Sequence, residues 1–370
     1  MAPVTRELAR RPAVFQPLLV TTAQHRELLD QALLAFSLRT HTDLALMTHD
    51  QPLPVFTARA VAGVADLLDA IAPDAVLIHG DTTTAFATAL AAFYNGLLIG
   101  HVEAGLRSNQ RVSPFPEEMN RRLIGTLAQL HFAPTQGARA NLLREGVEDA
   151  TIFVTGNTSI DALLTFDPET SFDDSNLERL VADDRRILLV TAHRRETWGA
   201  PLVRICAALR EITRRFADTH VVFPVHPNPN VREVVYHELR DARSITLIEP
   251  VSYADFMRLV HRSYVLLTDS GGLQEEAPAM RKPVLVLRET TERPELLDVG
   301  AGLLVGTDTT RIIRAVSRLL QHHRTYERMA SAPNPFGDGK AAVRIVDLLE
   351  QRLSGAAAPD TSETFALAAS

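Results

Sequence analysis

The sequence predicts an α/β protein made of two Rossmann-like domains. Three observations predict it. Apolar runs of strand length alternate with helical patterns from Pro17 onward, the signature of a parallel sheet covered on both faces. The alternation comes in two series, separated by the acidic, weakly apolar stretch FDPETSFDDSNLERLVADD at residues 166–184. At 370 residues the chain also exceeds one ordinary hydrophobic core. The domains are expected over residues 1–165 and 166–340.

In the first series, residues 18–21, 43–47, 75–79, 97–102, 131–133 and 152–155 read as strands, each a short apolar run closed by polar or turn-forming residues. Between them RELLDQALLAF, VADLLDAI, TAFATALAAFY and EEMNRRLIGTLAQL carry apolar residues at helical spacing. The second series has strands at 187–191, 221–225, 245–249, 265–268, 284–287 and 303–305. Cys206, the only cysteine, lies in the helical pattern VRICAALREI, where a buried thiol is expected; no internal disulfide is then possible, which fits a reducing cytoplasm. A last helix is expected at 341–353. Residues 354–370 are small, polar and low in complexity and are expected to be disordered.

The start of the chain departs from this pattern. A doubly wound domain opens with an apolar strand and a glycine turn, but this chain opens in the helical pattern MAPVTRELARR. The first strand is expected to be missing, either because the natural product starts upstream of Met1 or because the chain is truncated. Its loss would remove ~10 kcal/mol of burial. The first sheet would then keep a gap, or residues 18–21 would pair directly with 75–79.

Composition narrows the function classes. Hydrophobic residues make up 46% and charged residues 22%, as in a soluble globular protein. No apolar run approaches the ~20 residues of a membrane span, and no signal-peptide pattern precedes the first helix. A net charge of −7 argues against a general nucleic-acid surface but leaves room for a local anion site.

The richest chemistry lies in YVLLTDSGGLQEEAPAMRKPVLVLRETTERPE at 264–295. A buried strand ends in Thr268-Asp269-Ser270-Gly271-Gly272, and a helix follows at once. Glycines admit a ligand close to the backbone, and the helix start offers unpaired N–H groups that suit a phosphate. Glu276, a little over a turn into the helix, can reach a ribose hydroxyl. The next strand ends near Arg293, so two consecutive crossings make a nucleotide-diphosphate site. A Gly-rich turn with solvated charges is the plainer reading of SGG taken alone.

This stretch resembles the non-hydrolysing UDP-N-acetylglucosamine 2-epimerases. So do HGDTTTA at 79–85, HVEAGLRS at 101–108, SPFPEEMNR at 113–121, TAHRRETWG at 191–199 and FPVHPNPNVRE at 223–233, in the family's order and spacing. The resemblance implies two domains facing one another across a cleft, as in glycosyltransferases of the B type, with the last helix returning to the first domain. It implies a UDP-sugar substrate, no nicotinamide and no metal, and a homodimer without nucleic-acid or membrane partners. It also implies that an arginine and a lysine from the opening turn of the family have no counterpart here.

Epimerisation at C2 of a hexosamine requires removing a proton that no carbonyl acidifies. The resemblance implies a solution: UDP leaves C1, a neutral glycal forms, and UDP adds back after reprotonation. Such chemistry needs acid/base groups and an anion site for UDP. The candidate acids are Asp81, Glu103 and Glu117, at loop ends where a nearby pyrophosphate would raise their pKa values. Asp81 could instead cap a helix, and Glu117 could serve a helix dipole. His226 ends one strand and matches a family histidine near the phosphates, and His193 holds the equivalent place one strand earlier. His193 with Glu196 lacks a third ligand at metal spacing. By resemblance, Ser270, Gly271, Gly272 and Glu276 bind diphosphate and ribose, Arg293 lies near the phosphates, and Phe256 packs by the uracil. Gln24 and His25, in QHRELLDQ, resemble a segment that binds a second, activating UDP-GlcNAc, though Glu27 replaces a glutamine found there in some members.

Three other functions fit part of this pattern. A hydrolysing relative would release free ManNAc and UDP. A retaining glycosyltransferase would need an acceptor groove that no segment marks. A non-catalytic nucleotide-sugar sensor would have no need of all three acids.

Overall fold

The computed structural model describes residues 1–23, 26–48, 51–112, 114–167, 170–182 and 184–355. The chain divides into two compact units, Met1–Ala162 with the described part of Phe336–Ser370, and Leu163–Pro335.

The first unit holds strands β1 (Val20–Thr21), β2 (Thr42–Asp43), β3 (Ala75–His79), β4 (Leu98–Val102), β5 (Leu130–Ala133) and β6 (Ile152–Val154). The last four form a parallel sheet in the order β3-β4-β5-β6. β1 and β2 pair only with each other, so residues 18–21 do not close onto β3, which has a strand neighbour on one side only among the described residues. The strand expected at 43–47 stops after Asp43. There Ala45 turns left-handed at φ +46°, and its N–H donates to Asp43 Oδ1 at 3.0 Å. One face of the four-stranded sheet is covered by the helices Ala2–Ala9 and Ala341–Ser354. Val4, Ile345, Val346 and Leu349 pack there on Val102, Leu130, Phe132 and Phe153. The last helix has no cap of its own, and Asp161 supplies one, accepting from the N–H groups of Ala341 at 3.2 Å and Ala342 at 2.7 Å. The other face buries Ile78 and Ile99 under helices Leu53–Ile71 and Thr83–Tyr94, whose alanines allow close approach.

The second unit is one six-stranded parallel sheet. Its strands are β7 (Arg186–Thr191), β8 (Thr219–Pro224), β9 (Ile245–Ile248), β10 (Val265–Thr268), β11 (Val284–Val286) and β12 (Gly302–Leu304). The order is β12-β11-β10-β7-β8-β9, so the chain reverses direction across the sheet between β7 and β10. Ligands bind outside the carboxyl ends of strands at such a reversal. These strands read as unbroken apolar runs because helices cover both faces. Fully buried Leu188, Val190, Val221, Phe223, Val265 and Leu267 meet Ile205, Leu209 and Ile212 of the helix Ala200–Arg215. Each such side chain contributes ~2 kcal/mol of burial. Cys206 lies among them, where burial pushes its thiol up to about 12. Among the described residues no helix is long and apolar enough to cross a membrane.

Candidate active site

In the first unit, the candidate acids lie past the C-terminal ends of β3 and β4 and at the start of the helix Glu117–Leu127. Asp81 caps no helix: Thr82 is the cap of the helix that follows, its Oγ1 accepting from Ala85 N–H at 3.2 Å. Arg121 holds one oxygen of the Asp81 carboxylate, Oδ2, with Nε at 2.8 Å and Nη2 at 2.6 Å, while Asn120 Nδ2 donates to the Asp81 carbonyl at 2.8 Å. The loop carrying Asp81 is thereby tied to the helix carrying Glu117.

Glu103 follows β4 in a left-handed conformation, φ +67°, with Oε2 2.9 Å from His79 Nε2. Non-glycine residues rarely occupy this region, and those that do cluster at functional sites. Two contacts fix the turn around it. Gly80, at φ +70°, donates its N–H to Val102 O at 3.0 Å, and His101 Nε2 lies 2.8 Å from Gly80 O. Burial pushes His101 down to about 3, so it stays neutral and donates to that carbonyl.

Glu117 and Glu118 divide their work. Glu118 is fully buried and accepts from the N–H groups of Ser108 at 2.9 Å and Asn109 at 3.2 Å, and from Arg121 at 3.3 Å. Burial alone would raise its carboxyl, but the Ser108 and Arg121 hydrogen bonds outweigh it and hold it below the usual range. Glu118 is therefore the acid that shapes the loop. Glu117 is different: its Oε2 is buried and accepts no hydrogen bond among the described residues. A buried acceptor without a donor is unfavourable unless something else supplies one.

In the second unit, the carboxyl ends of β7 and β10 flank the reversal. Between them Asp269, fully buried, gathers four contacts. Its Oδ2 accepts from the N–H groups of His193 at 2.8 Å and Arg194 at 2.9 Å, and from Thr197 Oγ1 at 2.9 Å. Its Oδ1 faces His193 Nδ1 at 3.1 Å. Burial would raise this carboxyl, but His193 and the two N–H groups outweigh it and lower it. His193 is thus set by Asp269, and its ring stacks on His226 with centroids 5.8 Å apart. Burial, and then the proximity of His193, lower the pKa of His226. Asn228 N–H donates to His226 Nδ1 at 3.2 Å, leaving Nε2 as the protonated nitrogen of the neutral ring. Glu196 Oε1 pairs with Arg288 Nε at 3.0 Å.

The helix Gly271–Ala279 begins beside this cluster. Ser270 occupies its cap position but makes no side-chain capping bond, so the first N–H groups stay available. Gly271 has a specific reason to be glycine. A Cβ there would sit 3.3 Å from the Arg293 guanidinium carbon and 3.5 Å from Arg194 Nη2. Two guanidinium groups therefore flank an open helix N-terminus, an arrangement that suits a diphosphate. Glu275 positions Arg293 through Nε at 2.8 Å. Gln274 braces the loop, donating to Ser270 O at 3.0 Å and accepting from Thr291 Oγ1 at 2.5 Å. Gly272 is exposed, Phe256 is half-buried on the helix Tyr253–Arg262, and Glu276 accepts from Tyr253 Oη at 2.9 Å.

The structure thus groups Asp81, Glu103 and Glu117 in one unit, and His193, His226, Ser270, Gly271, Gly272, Glu276 and Arg293 in the other. Gln24 and His25 lie outside the described residues. Sequence reasoning missed His79, Arg121, Tyr253, Arg194 and Asp269. Asp269 stands directly after the end of β10 and Arg194 three residues past the end of β7, beside Ser270 and His193 already singled out, a signal that could have found them.

Residues 6–350 match the family model described as UDP-N-acetylglucosamine 2-epimerase. The UDP-N-acetylglucosamine 2-epimerase of Escherichia coli strain K12 is 48% identical over 356 residues, which span 95% of this chain and 94% of that one. A solved chain from Listeria monocytogenes matches with a TM-score of 0.92 at 45% identity, over 99% of this chain and 95% of that one. The UDP-GlcNAc 2-epimerase of Neisseria meningitidis, crystallised bound to UDP-GlcNAc, matches with a TM-score of 0.83 at 42% identity, over 94% of this chain and 95% of that one.

Proposed function

The chain belongs to the UDP-N-acetylglucosamine 2-epimerase family, and from that premise we propose that it interconverts UDP-GlcNAc and UDP-ManNAc without releasing a free sugar. The observation that carries this reading is the open helix N-terminus at Gly271 between Arg194 and Arg293. An epimerase that cleaves the C1–O bond must hold UDP as an anion while the sugar turns over.

In the forward direction a base takes the C2 proton as the C1–O bond breaks, and the electron pair becomes the C1–C2 double bond of 2-acetamidoglucal. UDP leaves with both electrons of the broken bond. A proton then reaches C2 from the opposite face, and UDP oxygen re-adds to C1. The sequence is redox-neutral, so it calls for no nicotinamide; turnover should survive EDTA, and its loss on chelation would count against this route.

We assign Glu103 and Asp81 to proton transfer at the sugar, and Glu117 to the same task through its buried Oε2, which accepts no hydrogen bond among the described residues. Arg194, Arg293 and the first N–H groups of the helix Gly271–Ala279 take the diphosphate. His226 and His193 act beside it, with Asp269 fixing the orientation of His193. Phe256 takes the uracil and Glu276 the ribose. Product analysis tests the assignment: UDP-ManNAc supports it, whereas free ManNAc with UDP would place the chain with the hydrolysing relatives.

We also propose a cytoplasmic homodimer that supplies cell-envelope polysaccharide synthesis. The single buried cysteine is in keeping with a reducing compartment. Sedimentation at micromolar concentration tests the dimer, and a monomer would contradict it.

A further inference from the structure

Glu276 has an unusual setting for a ligand-binding carboxylate. It lies on the helix Gly271–Ala279, where its Oε1 accepts from Tyr253 Oη at 2.9 Å. Among the described residues no cation pairs with it. The neighbouring Glu275 is occupied by Arg293, and the groups that act on Glu276 are Tyr253 from the facing helix and Glu275 from its own. Burial, with a smaller contribution from Glu275, pushes Glu276 up to about 7, against the opposing hydrogen bond from Tyr253. Tyr253 is itself held in place. It opens the helix Tyr253–Arg262, capped by Ser252 Oγ accepting from Asp255 N–H at 3.2 Å, and Phe166 meets its ring edge-on at 5.4 Å.

We infer that Tyr253 is a positioning residue: by fixing one carboxylate oxygen of Glu276, it aims the other at a ribose hydroxyl, so that the pair discriminates ribo- from deoxyribonucleoside diphosphates. The inference rests on the reading of Glu276 as the ribose-binding residue. Geometry makes the division of labour natural. One oxygen is spent on the phenol, and a carboxylate so held keeps one acceptor in a fixed direction instead of rotating between two. The phenol also favours the ionised carboxylate, which is the better acceptor for a hydroxyl. Nucleotide capture therefore weakens as pH falls through the Glu276 range, and removing the phenol hydroxyl moves that fall to higher pH.

The test is calorimetry on the full chain with UDP, 2′-deoxy-UDP and 3′-deoxy-UDP, from pH 5.5 to 8.5. The proteins are wild type, Tyr253→Phe, Glu276→Gln and the double variant. Wild type is expected to prefer UDP over at least one deoxy analogue by about tenfold, one good hydrogen bond's worth. Tyr253→Phe should shrink that preference and shift the pH midpoint of UDP affinity upward, and it should add nothing further on the Glu276→Gln background. Full discrimination with an unmoved midpoint in Tyr253→Phe would overturn the role of Tyr253. Full discrimination in Glu276→Gln would instead overturn the ribose reading beneath it. Tyr253→Phe removes only a hydroxyl, so melting temperature serves as the fold control.

Discussion

His79 Nε2 lies 2.9 Å from Glu103 Oε2, and Glu103 makes this approach from a left-handed backbone at φ +67°. Holding a glutamate there costs ~1–3 kcal/mol, and the turn around Gly80 persists because His101 and Val102 fix it. The strain aims one carboxyl, which we assign to the sugar rather than to UDP. Glu103→Gln is therefore expected to lower turnover by about 10²–10⁴-fold while UDP affinity stays within about tenfold. Coupled turnover assays and calorimetry read the two effects separately. Near-wild-type epimerisation would remove Glu103 from the chemistry.

Arg293→Ala should show the reverse pattern. Losing one charge-assisted contact to the diphosphate weakens UDP by ~1.5–3 kcal/mol. Gly271→Ala should weaken it as well, because the new Cβ would sit 3.3 Å from the Arg293 guanidinium and displace it. If calorimetry shows unchanged UDP affinity for Arg293→Ala, the cradle is misassigned.

Asp269→Asn is predicted to destabilise the second unit at neutral pH by ~1.5–3 kcal/mol, since a buried charged acceptor with four contacts is lost. The Asp269 carboxyl is held below 3.8, so its contribution is present above that value and fades as pH falls through its folded pKa. Urea midpoints of wild type and variant should thus differ at pH 7 and converge in acid. A difference that does not change with pH would contradict the charged role.

Glu276 should give the opposite slope. Its folded pKa, about 7, exceeds the unfolded 4.5, so the native state binds more protons between those values and ligand-free stability falls as pH rises through that window. The fall should be on the order of 3 kcal/mol, and Glu276→Gln should flatten it. Melting temperatures against pH decide this; an unaltered slope in the variant would mean another group titrates.

The strands were legible because parallel strands buried on both faces carry unbroken apolar runs. Residues 75–79 and 265–268 were read with the bounds that β3 and β10 show. Residues 43–47 were over-read, because DLALM looks like a strand while the left-handed turn at Ala45 is invisible to an apolar pattern. Candidate residues past strand ends, such as Glu103 and His226, could be placed because position along a strand fixes them. Arg121, Tyr253 and His79 could not be matched to their partners. Pairs such as Arg121 with Asp81 or Tyr253 with Glu276 join separate elements, and no local pattern records the contact. Asp161 capping a helix that begins at Ala341 is the same problem at longer range.

The central claim is that C2 exchanges its hydrogen while the sugar ends the cycle still joined to UDP. The most direct measurement is proton NMR of UDP-GlcNAc incubated with the enzyme in D₂O. The account predicts growth of UDP-ManNAc signals with deuterium replacing hydrogen at C2 in both UDP-sugars, and no free ManNAc. Accumulation of free ManNAc with UDP, or UDP-ManNAc that retains its C2 hydrogen, would contradict it.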